Sequence, residues 1–355
     1  MLTLIVADRQ PLLGKLVTED SGARIEKTPI GESVASEAED IPNYYPQIRV
    51  LCKQVMPDHL HLLLYVEEPL PVHLTSVVSG FKTGCTKAYK SSLIEIASTE
   101  HPETTQKSGR IATVEDKVRS GAVHPEVLCA ADFHEAGLIE QKRQGGLWED
   151  GYHDRILFHK GQLDAMINYI KDNPRRLALK RAKPELFRIR QEQRFGAIVC
   201  TALGNIFLAE HPQREVLQCS RKLTQAEIDA KREECLRAAA NGTVYVSAAI
   251  SEGEKQISRA LREAGYEMII LLTEGFPAAD SPHYKYFKPQ GVYFEACAAG
   301  KLLLIEPAAE MFERAETEAA VYAKTGIHDL PHTTQRYRFL ALNAMAEELC
   351  RLTEK

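Results

Sequence analysis

The sequence predicts an α/β protein of two modules, an α+β module over about residues 1–190 and a parallel α/β module over about 200–355. Three observations point there. At 355 residues the chain is long enough for two domains of ordinary size. The patterning changes around residues 185–200. Beyond that point short apolar runs alternate with charged helical stretches, as in a sheet whose parallel strands are joined by crossover helices.

In the first module, residues 1–8 read as a strand and 48–66 as a longer one. Between them Gly14, Gly22, Pro29 and Gly31 punctuate short extended pieces. Residues 72–96 follow Pro69 and Pro71 and carry Leu74, Val77, Val78 and Phe81 at helical spacing, which predicts an amphipathic helix. Residues 97–140 form a long polar insertion whose His101, His124, Cys129 and His134 stand at irregular spacings and read as surface residues. Ile156-Leu157-Phe158 predicts a short strand. Gly161 then releases a helix that Pro174 should end, because the residue before a proline is pushed out of the α region.

In the second module Glu215 to Cys219 reads as a strand, 224–240 as a charged helix and Thr243 to Val246 as a strand. A helix from Gly253 to Ala264 is stopped by Gly265. The strand Met268 to Leu272, a helix near 291–299 and the strand Lys301 to Ile305 complete a Rossmann-like alternation. Residues 309–324 and 333–353 close the chain as two helices, the second capped by Thr333 or Thr334.

Composition narrows the function classes. Hydrophobic residues make up 44% and charged residues 26%, values of an ordinary globular protein. No run approaches the length of a membrane span and the first residues lack the pattern of a signal peptide, so a cytoplasmic protein without a membrane partner is expected. The eight cysteines include no Cys-x-x-Cys pair, so neither a zinc ribbon nor a disulfide framework is indicated. A net charge of −5 argues against a chain-wide nucleic-acid coat. Locally the balance reverses: Lys171, Arg175, Arg176, Lys180, Arg181, Lys183, Arg188, Arg190 and Arg194 are opposed only by Asp172, Glu185 and Glu192. A solvated helix face accounts for such a run by default, but its start beside Tyr169 favours a DNA backbone contact.

The chemistry concentrates in Val55-Met56-Pro57-Asp58-His59-Leu60-His61-Leu62-Leu63-Leu64. Strand side chains alternate faces, so His59 and His61 point one way and Leu60 and Leu62 the other. Two imidazoles on one face make a metal seat that lacks only an oxygen or amide ligand from elsewhere. A strand whose polar face happens to hold two histidines is the plain alternative. Three more blocks follow: Gly80-Phe81-Lys82, Leu147-Trp148-Glu149-Asp150-Gly151-Tyr152-His153-Asp154-Arg155, and Tyr169-Ile170-Lys171-Asp172-Asn173-Pro174.

With these four blocks in order, about residues 1–185 resemble the HUH single-tyrosine transposases, and more narrowly their REP-associated relatives. The resemblance implies a ferredoxin-like HUH domain, an antiparallel sheet with helices. It also implies a Tyr169 nucleophile and a Mg²⁺ or Mn²⁺ ion on His59, His61 and Asn173. A tyrosine can store the energy of a broken phosphodiester as a phosphotyrosine, which makes cleavage reversible. His153 and Asp154 stand next to the Trp block, where they would support the site, and Asp154 reads equally as a turn residue. Taken without the family pattern, Tyr169 reads as a half-buried helix tyrosine, Asn173 as a helix-end residue and Trp148 as core. Two departures stand out: Asp58 replaces the family's usual asparagine, and the 97–140 insertion separates blocks that relatives join more briefly.

The second module resembles the nucleotide-binding α/β domains of the DNA-processing protein and lysine-decarboxylase-like families. The resemblance lies in Ser220-Arg221, in Val246-Ser247, and in Ser251-Glu252-Gly253-Glu254 at a helix start. Such turns approach phosphates in those families, because a helix N-terminus offers free amides to an anion. Ser247 and Ser251 are equally good plain N-caps. The leading expectation is cleavage and strand transfer of hairpin-bearing single-stranded DNA, with a nucleotide or DNA at the second module and a second copy of the chain as further partners. The rivals are a DNA- or nucleotide-binding protein without activity, and a C-terminal module that acts on a nucleotide while the N-terminal one targets it to DNA.

Overall fold

The computed structural model describes residues 1–100, 146–272, 276, 291–308, 311, 313, 317 and 334–352. The insertion's four singled-out residues, the Thr333 cap and most of the expected 309–324 helix lie outside them. The chain divides into two compact units, Met1–Ala178 and Leu179–Lys355. The fold is mixed α/β, with an antiparallel sheet in the first unit and a sheet containing parallel strands in the second.

The first unit's main strands are β1 (Leu2–Ile5), β4 (Ile48–Val55), β5 (His59–Val66) and β6 (His153–Asp154), with β2 (Gly14–Glu19) and β3 (Gly22–Lys27) as a separate hairpin. They form a four-stranded sheet in the order β4-β5-β1-β6, antiparallel throughout. The expected strand over 48–66 is thus a hairpin. Pro57, which offers no N–H to a ladder, stands in the turn between its arms. Residues 29–39 form helix α1 (Pro29–Glu39), where only extended pieces were expected. Its start was legible: Thr28 accepts a hydrogen bond from the Gly31 N–H as N-cap, and Pro29 occupies the first turn. After α2 (Ile41–Tyr44), helix α3 (Leu74–Glu100) confirms the amphipathic reading of 72–96.

The two sheet faces are unlike. Leu2, Leu4, Leu60 and Leu62 point into a core closed by Val34, Ala35 and Ala38 of α1 and by Val77, Val78, Phe81 and Cys85 of α3. The opposite face carries Leu63, which packs on Met166 and Ile170 of helix α4 (Gln162–Ala182). Helix α4 corrects the expected stop at Pro174, for it runs on to Ala182 with the proline inside. Pro174 removes the N–H that would reach the Ile170 carbonyl. The Asn173 side-chain amide supplies a substitute, donating to the carbonyls of Tyr169 at 2.8 Å and Ile170 at 3.4 Å. Ile156-Leu157-Phe158 is not a strand. The pairing residues are His153 and Asp154, opposite Thr3 and Leu2, and Ile156 and Phe158 are exposed.

In the second unit a six-stranded sheet has the order β7 (Arg190–Phe195), β8 (Ile198–Gly204), β12 (Leu302–Pro307), β11 (Met268–Leu271), β10 (Val244–Ser247), β9 (Arg214–Val216). Strands β9 to β12 are mutually parallel, while β7 and β8 form an antiparallel hairpin added at β12. The expectation of a parallel sheet therefore holds for four strands, and the hairpin was missed because its polar first arm alternates weakly. Gly204, at φ +109°, lets β8 approach β12, since a Cβ there would stand 2.1 Å from the Leu302 carbonyl oxygen. Helices α5 (Gln225–Ala240), α6 (Glu252–Glu263) and α7 (Gly291–Ala298) contribute Ile228, Ile257, Leu261 and Cys297 to one core. Leu342, Met345 and Leu349 of α8 (Thr334–Arg351) form the other, against Val244, Val246, Ile269 and Leu303. Among the described residues no helix is long and apolar enough to cross a membrane, and the cysteines at 52, 85, 200, 219, 235 and 297 carry free thiols.

Candidate active site

The histidine pair converges. Antiparallel register sets His59 opposite Ile5 and His61 opposite Thr3, on the face away from the α1/α3 core. The two rings meet edge to face, and their Nε2 atoms are 3.2 Å apart. Two nitrogens about 2.1 Å from one ion, subtending about 100° there, would stand about 3.2 Å apart. The outer nitrogens are held from behind: His59 Nδ1 lies 2.6 Å from Asp58 Oδ1, and His61 Nδ1 lies 3.0 Å from Thr3 Oγ1. An ionised carboxylate only accepts, so His59 donates from Nδ1, and whenever the ring is neutral its Nε2 turns a lone pair inward. If His61 donates to Thr3 as well, two lone pairs face each other and a cation belongs between them. Otherwise His61 Nε2 donates the proton that joins the rings. This backing of imidazole by carboxylate and hydroxyl is how proteins orient histidine ligands.

Asp58 is itself held. Arg9 Nη1 approaches its Oδ2 at 3.4 Å, from a turn in which Asp8 and Arg9 adopt φ of 54° and 52°. Burial alone would raise the Asp58 pKa, but the hydrogen bond and charge of His59, together with Arg9, outweigh it and hold the carboxyl below its ordinary value. Among the described residues no group of three or more His, Cys, Asp or Glu side chains could hold a metal. A metal on this pair would therefore need amide, solvent or substrate oxygens for its remaining positions, which is an open rather than a closed site.

Tyr169 comes to the pair. Its ring lies 5.9 Å from the His61 ring, centroid to centroid, and the Arg176 guanidinium sits 5.5 Å over its centroid. Burial pushes the phenol pKa up, against the charge of Arg176 and a hydrogen bond from Asn173. Because Asn173 spends its amide nitrogen on the Tyr169 and Ile170 carbonyls, its side-chain oxygen stays an acceptor. The Asn-Pro pair thus repairs the helix that carries the tyrosine.

The Phe-Lys and Trp blocks meet as a scaffold. Phe81 packs 6.2 Å from Trp148, which is core, and Lys82 donates to the Glu149 carbonyl at 2.6 Å and to that of Gly151. Backbone bonds from Glu149 to Ile5 and from Ala7 to Leu147 tie the block along β1. His153 consequently stands across Thr3 from His61, on the same face, while Asp154 pairs with Leu2 on the other.

The basic run separates by environment. Lys171 and Arg181 are exposed; Arg175 is exposed but forks onto Asp172 at 2.6 and 3.0 Å. Arg176, expected on a DNA backbone, is buried over Tyr169, and Lys180 lies about 6 Å from the rings of Phe187 and Phe294. Replacing Lys171 and Arg181 by Ala should flatten the salt dependence of single-strand binding, by about 0.7 in the slope of log K against log salt for each phosphate that the variant no longer neutralises. An unchanged slope would take the DNA path off this face.

In the second unit a carboxylate of the chain itself stands beside the turns at which a phosphate was expected. Ser251 caps α6 in a reciprocal box with Glu254, whose buried carboxylate accepts from the backbone N–H groups of Cys219 at 3.0 Å, Ile250 at 2.7 Å and Ser251 at 3.4 Å. Ser251 thus gives its amide to a carboxylate of the chain itself, as do Cys219 and Ile250 beside it. Ser247 and Ser220 hydroxyls accept from Ala249 and Lys222, two residues on, and Gly253 leaves room for Cys219. Arg221 is exposed, 5.7 Å over the Phe339 ring.

Sequence reasoning missed Thr3, Arg9 and the role of Arg176. Thr3 and Arg9 carry no local signal, because they matter only through pairing with a strand more than forty residues away. Compared with known proteins, the chain matches no family model and no curated protein.

Proposed function

We propose that the first unit is a metal-dependent, single-strand DNA transesterase of the HUH type, and that the second is a Rossmann-like module appended to it. The observation that carries this reading is the convergence of the His59 and His61 Nε2 atoms beside the Tyr169 ring. The resemblance of the four sequence blocks and the antiparallel sheet that presents the pair support it. His59 and His61 would hold the ion, with the Asn173 oxygen as third ligand by resemblance; imidazole nitrogens favour Mn²⁺ over Mg²⁺. Such an ion supplies charge neutralisation at the scissile phosphate.

The chain's own groups do the rest. The Tyr169 oxygen bonds to phosphorus as the bond from phosphorus to the 3′ oxygen breaks; the phenolic proton is lost and the departing 3′ oxygen takes one up. A 5′-phosphotyrosine and a free 3′-hydroxyl result, and attack by a 3′-hydroxyl reverses the step. Arg176, over the ring, favours the phenolate that burial opposes. Asp58 and Thr3 hold the imidazoles so that both inner nitrogens face the same point.

The test is to incubate the full chain with a panel of hairpin-bearing single strands and Mn²⁺, then denature and look for a protein–DNA adduct. The expected adduct is alkali-stable and joins the protein to the 5′ end of the released fragment. A panel that gives neither adduct nor nicked strand would overturn the proposal and favour a binding protein.

A further inference from the structure

At the edge of the second unit's sheet lies a cavity of about 580 Å³. It opens where strand β9 begins, beside the turn of the β7–β8 hairpin and the last turn of α8. Arg214, at the start of β9, lies at the end of the parallel strands opposite to the turns that follow β9 and β10. Its charged lining is Arg194, Arg214 and Arg351 against Glu210 and Glu348, a balance of one positive charge.

Arg214 is the unusual member. It is 7% exposed, yet none of its three guanidinium nitrogens has a hydrogen-bond partner among the described residues. Burial pulls its pKa below the ordinary value, with Cys350 and Glu210 acting the other way, but an arginine stays charged at neutral pH. Removing a guanidinium from water without an acceptor is costly, so buried charges are ordinarily paired. By comparison, Arg351 at the rim already pairs with Glu347 at 3.0 Å. Phe195 and Leu352 add apolar wall, and the volume falls within the range of small-molecule sites.

We propose that this cavity binds a small organic anion, the Arg214 guanidinium turning from its water-excluded position to receive the phosphate or carboxylate, with the apolar part against Phe195. The guanidinium fork matches two oxygens of either group, whereas a lysine would meet them as a point charge. Neither Glu254 nor the histidine pair takes part, so the site is separate from those already described.

The test uses the full chain, with thermal unfolding and calorimetry in inorganic phosphate, adenosine 5′-monophosphate and succinate. At least one should bind saturably at millimolar or lower concentration and raise the melting temperature; which one distinguishes phosphate from carboxylate as the recognised group. Arg214→Met should weaken that binding at least tenfold and, without ligand, unfold no earlier than the wild type, because it removes an unpaired buried charge. Ala197→Trp, at the exposed hairpin turn on the cavity rim, should block binding while leaving Arg214 in place. Failure of all three probes, undiminished binding in either variant, or collapse of the fold in Arg214→Met would overturn the proposal.

Discussion

Tyr169→Phe should abolish strand cleavage and the covalent adduct, with no residual turnover from a substitute nucleophile, while single-strand binding stays near the wild-type value. The reason is local. Tyr169 is the hydroxyl-bearing ring placed beside the histidine pair, and phenylalanine keeps the packing on Met166, Ile170 and Leu63 that seats α4 on the sheet. What is lost besides chemistry is the phenol's hydrogen bond with Asn173, so stability should move by only about 1 kcal/mol. Comparing adduct formation, filter binding and thermal unfolding separates these effects. Wild-type cleavage by the phenylalanine variant would remove Tyr169 from the reaction.

The second large effect is expected in metal binding. The double variant His59→Ala, His61→Ala should lose Mn²⁺ affinity measured by calorimetry by more than about 100-fold, the upper range for removing merely a supporting partner of a ligand. Both inner nitrogens meet at one point, so either loss opens the same site. The single variant Thr3→Val should act in the same direction but more weakly, because it leaves His61 in place and removes only the hydroxyl beside Nδ1. Were the double variant to bind Mn²⁺ as the wild type does, the contact between the rings would be a proton-sharing pair of structural histidines, and the reaction proposed above would lose its cation.

These effects trace to different depths of the sequence. Strand alternation alone set His59 and His61 on one face and Leu60 and Leu62 on the other, because a β-strand's side-chain period is a property of its own backbone. Helical spacing likewise joined Tyr169 to Asn173, and Thr224 and Ser251 announced α5 and α6 by capping-box residues three positions apart. All of these rest on bonds within a few residues. The end of α4 was misread for the same reason: the steric rule for a residue before proline is local, but here the Asn173 side chain satisfies the carbonyl that Pro174 strands, and burial of both residues keeps the helix going.

What only the tertiary structure decided is which of these local pieces meet. Thr3 reaches His61 because β1 pairs with β5, and Arg9 reaches Asp58 because a left-handed turn follows β1. A run of basic residues looks uniform in sequence, yet packing withdrew Arg176 to the tyrosine and left Lys171 and Arg181 in solvent. Glu254 stands out in the sequence only as part of the block at a helix start, and its buried carboxylate accepts from the backbone amides of Cys219, thirty-five residues away, and of Ile250. Arg214 stands one residue before the strand read over Glu215 to Cys219 and proves to be a buried cation beside a cavity. For Arg176 and Arg214 the deciding circumstance is burial by residues far away in the chain, which sequence neighbours do not report.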